Sequence, residues 1–120
     1  MDPDQHHTQD REVITIKPCP DGDPGHALVQ VDDATADQLE LPRGTLLHFD
    51  GRKRPGNGDV VLAELVARGR LTRTVRRFTL AGGVVSLARI DGRPGSAIRP
   101  RHEVGIVGVV DGQVVPMDPA

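Results

Sequence analysis

The chain reads as all-β, a single domain of seven to nine short strands arranged as a barrel or a sandwich. Three observations predict this. Hydrophobic residues make up 37% of 120 residues, with two Phe and neither Trp nor Tyr. The interior must therefore be assembled from Val, Leu, Ile and Ala, which suit thin pleated layers better than large helices. The 14 Gly and 10 Pro amount to a fifth of the chain and demand many turns between short elements. No segment sustains a helical apolar period beyond about two turns, whereas turn signals recur roughly every eight to twelve residues, as in barrels and sandwiches.

Taken in order, residues 1–10 lack apolar side chains after Met1 and predict a disordered tail, with His6 and His7 solvated. The domain spans 11–116. Val13 to Ile16 is β-rich and predicts a first strand, stopped by Pro18 and Pro20. Asp21 to Gly25 is a loop, and Ala27 to Val31 alternates as a second strand. Ala34 to Leu39 predicts a short helical turn capped by Asp32 or Asp33. After the Pro42-Arg43-Gly44 turn, Thr45 to Phe49 is a strand, and Asp50 to Gly58 is an exposed loop. Residues 59–78 read as a β-hairpin around a Gly-containing turn. Leu80 to Gly83 turns the chain into a strand over Val84 to Ile90, and Asp91 to Gly95 is a strong turn signal. Ala97-Ile98 is a short piece, Val104 to Val110 an apolar strand, and Gly112 a turn into a last strand, Gln113 to Val115. Residues 117–120 are expected to fray.

The formal net charge of −2 gives no global attraction to nucleic acid or to an anionic membrane. Its distribution is uneven, acidic over residues 1–40 and basic over 52–54, 68–77 and 89–101, which suggests a basic face for an acidic partner. A single cysteine, Cys19 between Pro18 and Pro20, excludes an internal disulfide and fits a reducing cytoplasm. Its sequence neighbours supply no ligands, and the five His show no ligand spacing, so neither a metal nor a cofactor is expected. No apolar run is long enough for a membrane span, and no phosphate loop precedes a helix. The localisation expected is cytoplasmic.

Gly58-Asp59-Val60-Val61-Leu62-Ala63, followed by a hairpin turn and Val75-Arg76-Arg77-Phe78, resembles the core of the LexA/UmuD-type self-cleaving peptidase domain. The similarity extends from Ala27 to Val110. Ala27 to Val31 looks like the family's leading strand, and Asp33-Ala-Thr-Ala36 falls where the family has Gly-x-Ser-Met. Arg43-Gly44-Thr45 falls on its Asp-Gly-Asp, and Ile106 to Val110 resembles its closing strand. By this resemblance the fold is all-β and LexA C-terminal-like, a single compact domain of short strands curled into a partly open β-barrel, and the catalytic serine and lysine positions hold Thr35 and Arg76. A lysine can lose its proton when buried, but a guanidinium stays protonated, so Arg76 cannot act as the base. The dyad is therefore degenerate.

The resemblance implies a non-catalytic interaction or regulatory module of bacterial type, a pseudo-peptidase. A homodimer is expected through Val104, Ile106, Val107, Val109 and Val110. Partner binding is expected through Arg70, Arg73, Arg76 and Arg77. Candidate partners are a LexA-type repressor, a polymerase or another stress-response protein. Arg11 to Pro20 is a candidate pseudo-substrate strand in the old groove. Two other readings remain open. One is a residual self-cleaving peptidase with Thr35 as nucleophile. The other is a nucleic-acid-binding barrel using Arg52, Lys53, Arg54 and the basic strand 68–77, disfavoured by the lack of aromatic stacking residues.

Overall fold

Residues 15–115 are described by a computed structural model, and eight antiparallel strands carry most of them. These are β1 (Thr15–Pro18), β2 (His26–Gln30), β3 (Leu46–Asp50), β4 (Val60–Ala67), β5 (Arg70–Ala81), β6 (Val84–Ala88), β7 (Ser96–Pro100) and β8 (Gly105–Val114). A short helix, α1 (Asp33–Gln38), joins β2 to β3, and a 3-10 turn over Arg101–Glu103 leads into β8. The predicted all-β character and single domain hold. The strands form one sheet in the order β1-β2-β3-β8-β4-β5-β6-β7, which does not close into a barrel, since β1 and β7 each have a single neighbour. The tails expected over residues 1–10 and 117–120 lie outside the described residues.

Local chemistry explains the elements. Asp32 caps α1 as expected, its Oδ1 accepting the Thr35 N–H at 2.8 Å. Between β4 and β5, Arg68 and Gly69 take positive φ values of 53° and 75°. Two consecutive left-handed residues make the turn whose twist matches the flanking strands, and the Gly adopts it without steric cost. β1 ends at Pro18, as expected; a residue without an N–H is tolerated as the last of an edge strand.

The last strand differs from expectation. Gly112 does not turn the chain; β8 runs on to Val114 and pairs with β3 on one side and β4 on the other. Two irregularities absorb the mismatch. Opposite the consecutive pair His48 and Phe49, β8 presents Gly112 and Val110, so Asp111 is an extra residue. Opposite Leu62 and Ala63 it presents Gly108 and Ile106, leaving Val107 extra. Such bulges re-aim side chains and add twist.

The sheet buries apolar side chains on both faces. Val29, Val31, Ala36, Leu47, Phe49, Val60, Leu62, Val75 and Ile90 form one cluster, with α1 contributing Ala36. Val61, Ala63, Leu65, Phe78, Val85, Leu87, Val104 and Val109 form the other. The alternation along β4, with Val60 and Leu62 in one cluster and Val61 and Ala63 in the other, is the period-two signature of a strand buried on both sides. Each cluster contains one of the chain's two Phe.

Candidate functional site

Thr35 and Arg76, expected to share one groove, are carried by different faces of the sheet. Arg76 pairs with Val61, and directly opposed residues of an antiparallel ladder project to the same side. That side is the one lined by Val61 and Phe78. Thr35 is buried in α1 next to Ala36, which packs with Val75 and Leu62 on the opposite side. Its N–H is held by the Asp32 cap, while Arg76 Nε donates to Thr74 Oγ1 at 3.0 Å. Thr35 and Arg76 therefore do not meet.

The other predicted site residues are also redistributed. By alternation along β5, Arg70 and Arg76 lie on one face and Arg73 and Arg77 on the other, so no single basic face forms. Arg73 Nε donates to Glu64 at 2.9 Å, and Arg77 donates to the Gly58 carbonyl at 2.8 Å. Arg52 is tied to Asp23 by two hydrogen bonds of 2.9 and 2.7 Å. The strand expected to dimerise is largely enclosed. β8 lies between β3 and β4, and Val104 and Val109 are buried in the chain's own core. Ile106, Val107 and Val110 are half-buried against the same clusters. β3 takes one edge of β8 from Val109 to Val114 and β4 the other edge from Gly105 to Val109, and Val104 and Val109 spend their apolar surface within the chain.

One open region among the described residues is the far end of the β4–β5 hairpin. β8 accompanies β4 only as far as Glu64, and β6 accompanies β5 only over Arg77 to Ala81. Beyond those limits the hairpin projects. Val66 and Leu71 sit opposite each other on it and are 57% and 68% exposed. Arg73 shares their face, paired there with Glu64, Arg68 lies in the adjoining turn and Arg70 projects to the other face; all three Arg are exposed.

A polar cluster forms at the other end of the sheet. The β1–β2 loop is folded by Gly22 N–H to Cys19 carbonyl, by Asp23 N–H to Asp21 Oδ1 and by Gly25 N–H to Asp23 Oδ1, at 2.9, 2.9 and 2.8 Å. This brings Cys19 and Asp21 back over His26, the first residue of β2. His26 pairs with Asp50 and Leu28 with His48, so the two His are diagonal neighbours on one face. Their rings lie 4.6 Å apart at 65°. His26 Nδ1 is 2.7 Å from Asp21 Oδ2, and His48 Nδ1 is hydrogen-bonded to Asp111, the extra residue of the β8 bulge. One ligand atom each from Cys19, Asp21, His26 and His48 lies within 4.8 Å of all the others.

The electrostatics follow from these contacts. The Asp23 N–H, then His26 and Cys19, hold the Asp21 carboxyl down at about 2. Arg52 and the Gly25 N–H hold Asp23 well below the usual carboxylate range. The hydrogen bond to Asp21, reinforced by Asp23, raises His26. For Cys19 the backbone hydrogen bond at Asp21 lowers the pKa, but burial and the carboxylates of Asp21 and Asp23 outweigh it and push the thiol up.

Sequence reasoning missed this cluster because His48 is far from Cys19 in the chain and nearby only through the β2–β3 register. The readable signal was limited to Cys19, Asp21 and His26 around a Gly-Pro loop. Among the described residues no helix is long and apolar enough to cross a membrane. Compared with known proteins, the chain matches no family model and no curated protein.

Proposed function

We propose that this chain is a non-catalytic interaction module that receives an acidic, extended protein segment along β5 of its projecting hairpin. The observation that carries the reading is the side-by-side exposure of Val66 and Leu71 on a hairpin that outruns its neighbouring strands. An exposed apolar pair on a hairpin whose strand β5 carries Arg70, Arg73 and Arg76, with Arg68 in its turn, suits an amphipathic strand with acidic residues. Among the described residues, no strand pairs with Arg70 to Arg76 on the side away from β4. That stretch offers a ladder for an added strand.

Charge argues against a second copy as the occupant. Antiparallel self-pairing centred on this stretch would set Arg73 opposite Arg73 and Arg70 opposite Arg76. Like charges directly opposite one another destabilise a ladder. The reading does not depend on kinship with self-cleaving peptidases, and the separation of Thr35 from Arg76 supports its non-catalytic part.

Fluorescence anisotropy with two labelled peptides tests it, one alternating Glu with Val and one alternating Lys with Val. The acidic peptide binds, more weakly as salt rises. Leu71→Asp weakens that binding by about tenfold or more, the scale of losing one buried Leu contact. Equal binding of both peptides, or of neither, overturns the proposal. So does a dimer, seen by light scattering, that Leu71→Asp dissociates.

A further inference from the structure

We propose that Cys19, Asp21, His26 and His48 form a binding site for a divalent transition-metal ion of the zinc class, which fastens the β1–β2 loop to β3. A thiol, a carboxylate and two imidazoles are the donors such ions select, and this mixed set is foreign to calcium and magnesium. The four donor atoms already lie within 4.8 Å of one another. Ligands around one tetrahedral ion bound at roughly 2.0–2.3 Å stand about 3.3–3.8 Å apart, so the donors need to draw in by about 1 Å to close on one ion.

The surroundings match what a metal requires beyond its ligands. His48 uses Nδ1 for Asp111, which leaves Nε2 as its metal-binding nitrogen. A carboxylate behind an imidazole fixes the ring and raises its basicity, the usual outer-shell partner of a metal-bound histidine. The β8 bulge exists at this point, with Asp111 as the additional residue opposite His48 and Phe49. Two further carboxylates approach His26, Asp23 at 3.8 Å from Nδ1 and Asp50 at 3.9 Å from Nε2. Arg52 balances one of them through its contact with Asp23. A divalent ion with a thiolate and the Asp21 carboxylate is locally neutral. Four protein ligands make a closed coordination sphere, so the ion is structural rather than catalytic. Binding displaces the thiol proton to solvent.

The ordinary alternative is a surface network of two His-carboxylate hydrogen bonds with the thiol a bystander. The two accounts differ in measurable ways. Chelator-treated full-length protein is titrated with Co2+ and then Zn2+. His6 and His7 are changed to Ala throughout, so that the tail does not contribute ligands. One Co2+ per chain is expected, with a thiolate charge-transfer band and visible bands of tetrahedral intensity, both displaced by Zn2+. Cys19→Ser removes the charge-transfer band. His48→Ala, with β1–β2 still formed by circular dichroism, abolishes the tetrahedral spectrum. Asp111→Asn keeps the spectrum and lowers Zn2+ affinity by about 10–100-fold, the effect of losing an outer-shell partner. Octahedral Co2+, less than one ion per chain, or binding unchanged by Cys19→Ser overturns the proposal. Leu71→Asp leaves metal binding unchanged, so the fate of the hairpin reading is decided separately.

Discussion

His48 and Asp111 meet because β8 carries one residue more than β3 along their shared ladder. Gly112 opposes His48 and Val110 opposes Phe49, and the residue between them is turned out towards the imidazole. The bulge thus couples the closing strand to the polar cluster at the β1–β2 end. Asp111→Ala should cost about 1 kcal/mol, the net value of a half-exposed charge-assisted hydrogen bond. Urea denaturation without added metal measures it. A loss near zero would mean that the contact contributes nothing to folding.

Phe49 and Phe78 anchor opposite faces of the sheet, at 0% and 2% exposure. Either one changed to Ala should destabilise by about 3–5 kcal/mol, a large part of an ordinary domain's stability of about 5–15 kcal/mol. Because β4 lines both clusters, each variant should unfold the whole sheet in one transition, followed by circular dichroism against urea.

Two glycines of β8 separate close packing from open space. A Cβ on Gly108 would lie 2.8 Å from the Phe49 Cβ, whereas one on Gly112 would lie 3.9 Å from the His48 Cβ. Gly108→Ala should cost about 1–3 kcal/mol through overpacking, and Gly112→Ala less than about 0.5 kcal/mol. Similar losses for both would contradict the described register.

Asp91 is buried and paired with Arg89, whose Nε donates to Oδ1 at 3.0 Å. That hydrogen bond holds the carboxyl below its ordinary range, burial partly opposes it, and the Arg93 N–H assists. A depressed folded-state pKa means that the native protein binds the proton less readily than the unfolded chain. The stability it contributes is therefore complete above the ordinary carboxylate range. It is lost as the pH falls through that range to the lowered folded value. Asp91→Asn should remove this part of the acid dependence while lowering stability at neutral pH. Denaturation midpoints across the acid range for both proteins test the sign.

The cap of α1 gives a smaller effect. Asp32→Ala removes the acceptor of the Thr35 N–H and should cost about 1 kcal/mol. The loss should fall on the β2–β3 connection, visible as faster amide exchange in Ala34 to Leu39.

Most of the strands were legible in the chain because their causes are local. β-branched runs, apolar alternation and Gly or Pro turns specify β2 to β6 within a few residues, and Asp32 announces the start of α1. Gly112 misled because a glycine signals a turn only when no partner strand is present; with β3 alongside, it pairs within the ladder beside a bulge. What determined the interior was composition, since a chain with two Phe and many Val must bury thin strands on both sides.

The order of strands and the meeting of side chains belonged to the tertiary structure. A strand's period of two says which residues share a face, but not which neighbour covers that face. Inserting β8 between β3 and β4 buried Val104 and Val109, two residues of the expected dimer surface, in the chain's own core. The pairing of β4 with β5 sent Arg76 to the face away from α1, and that of β2 with β3 brought His48 to Cys19. These are contacts between residues distant along the chain. They arise from ladder register, a property of two strands together that neither segment carries alone.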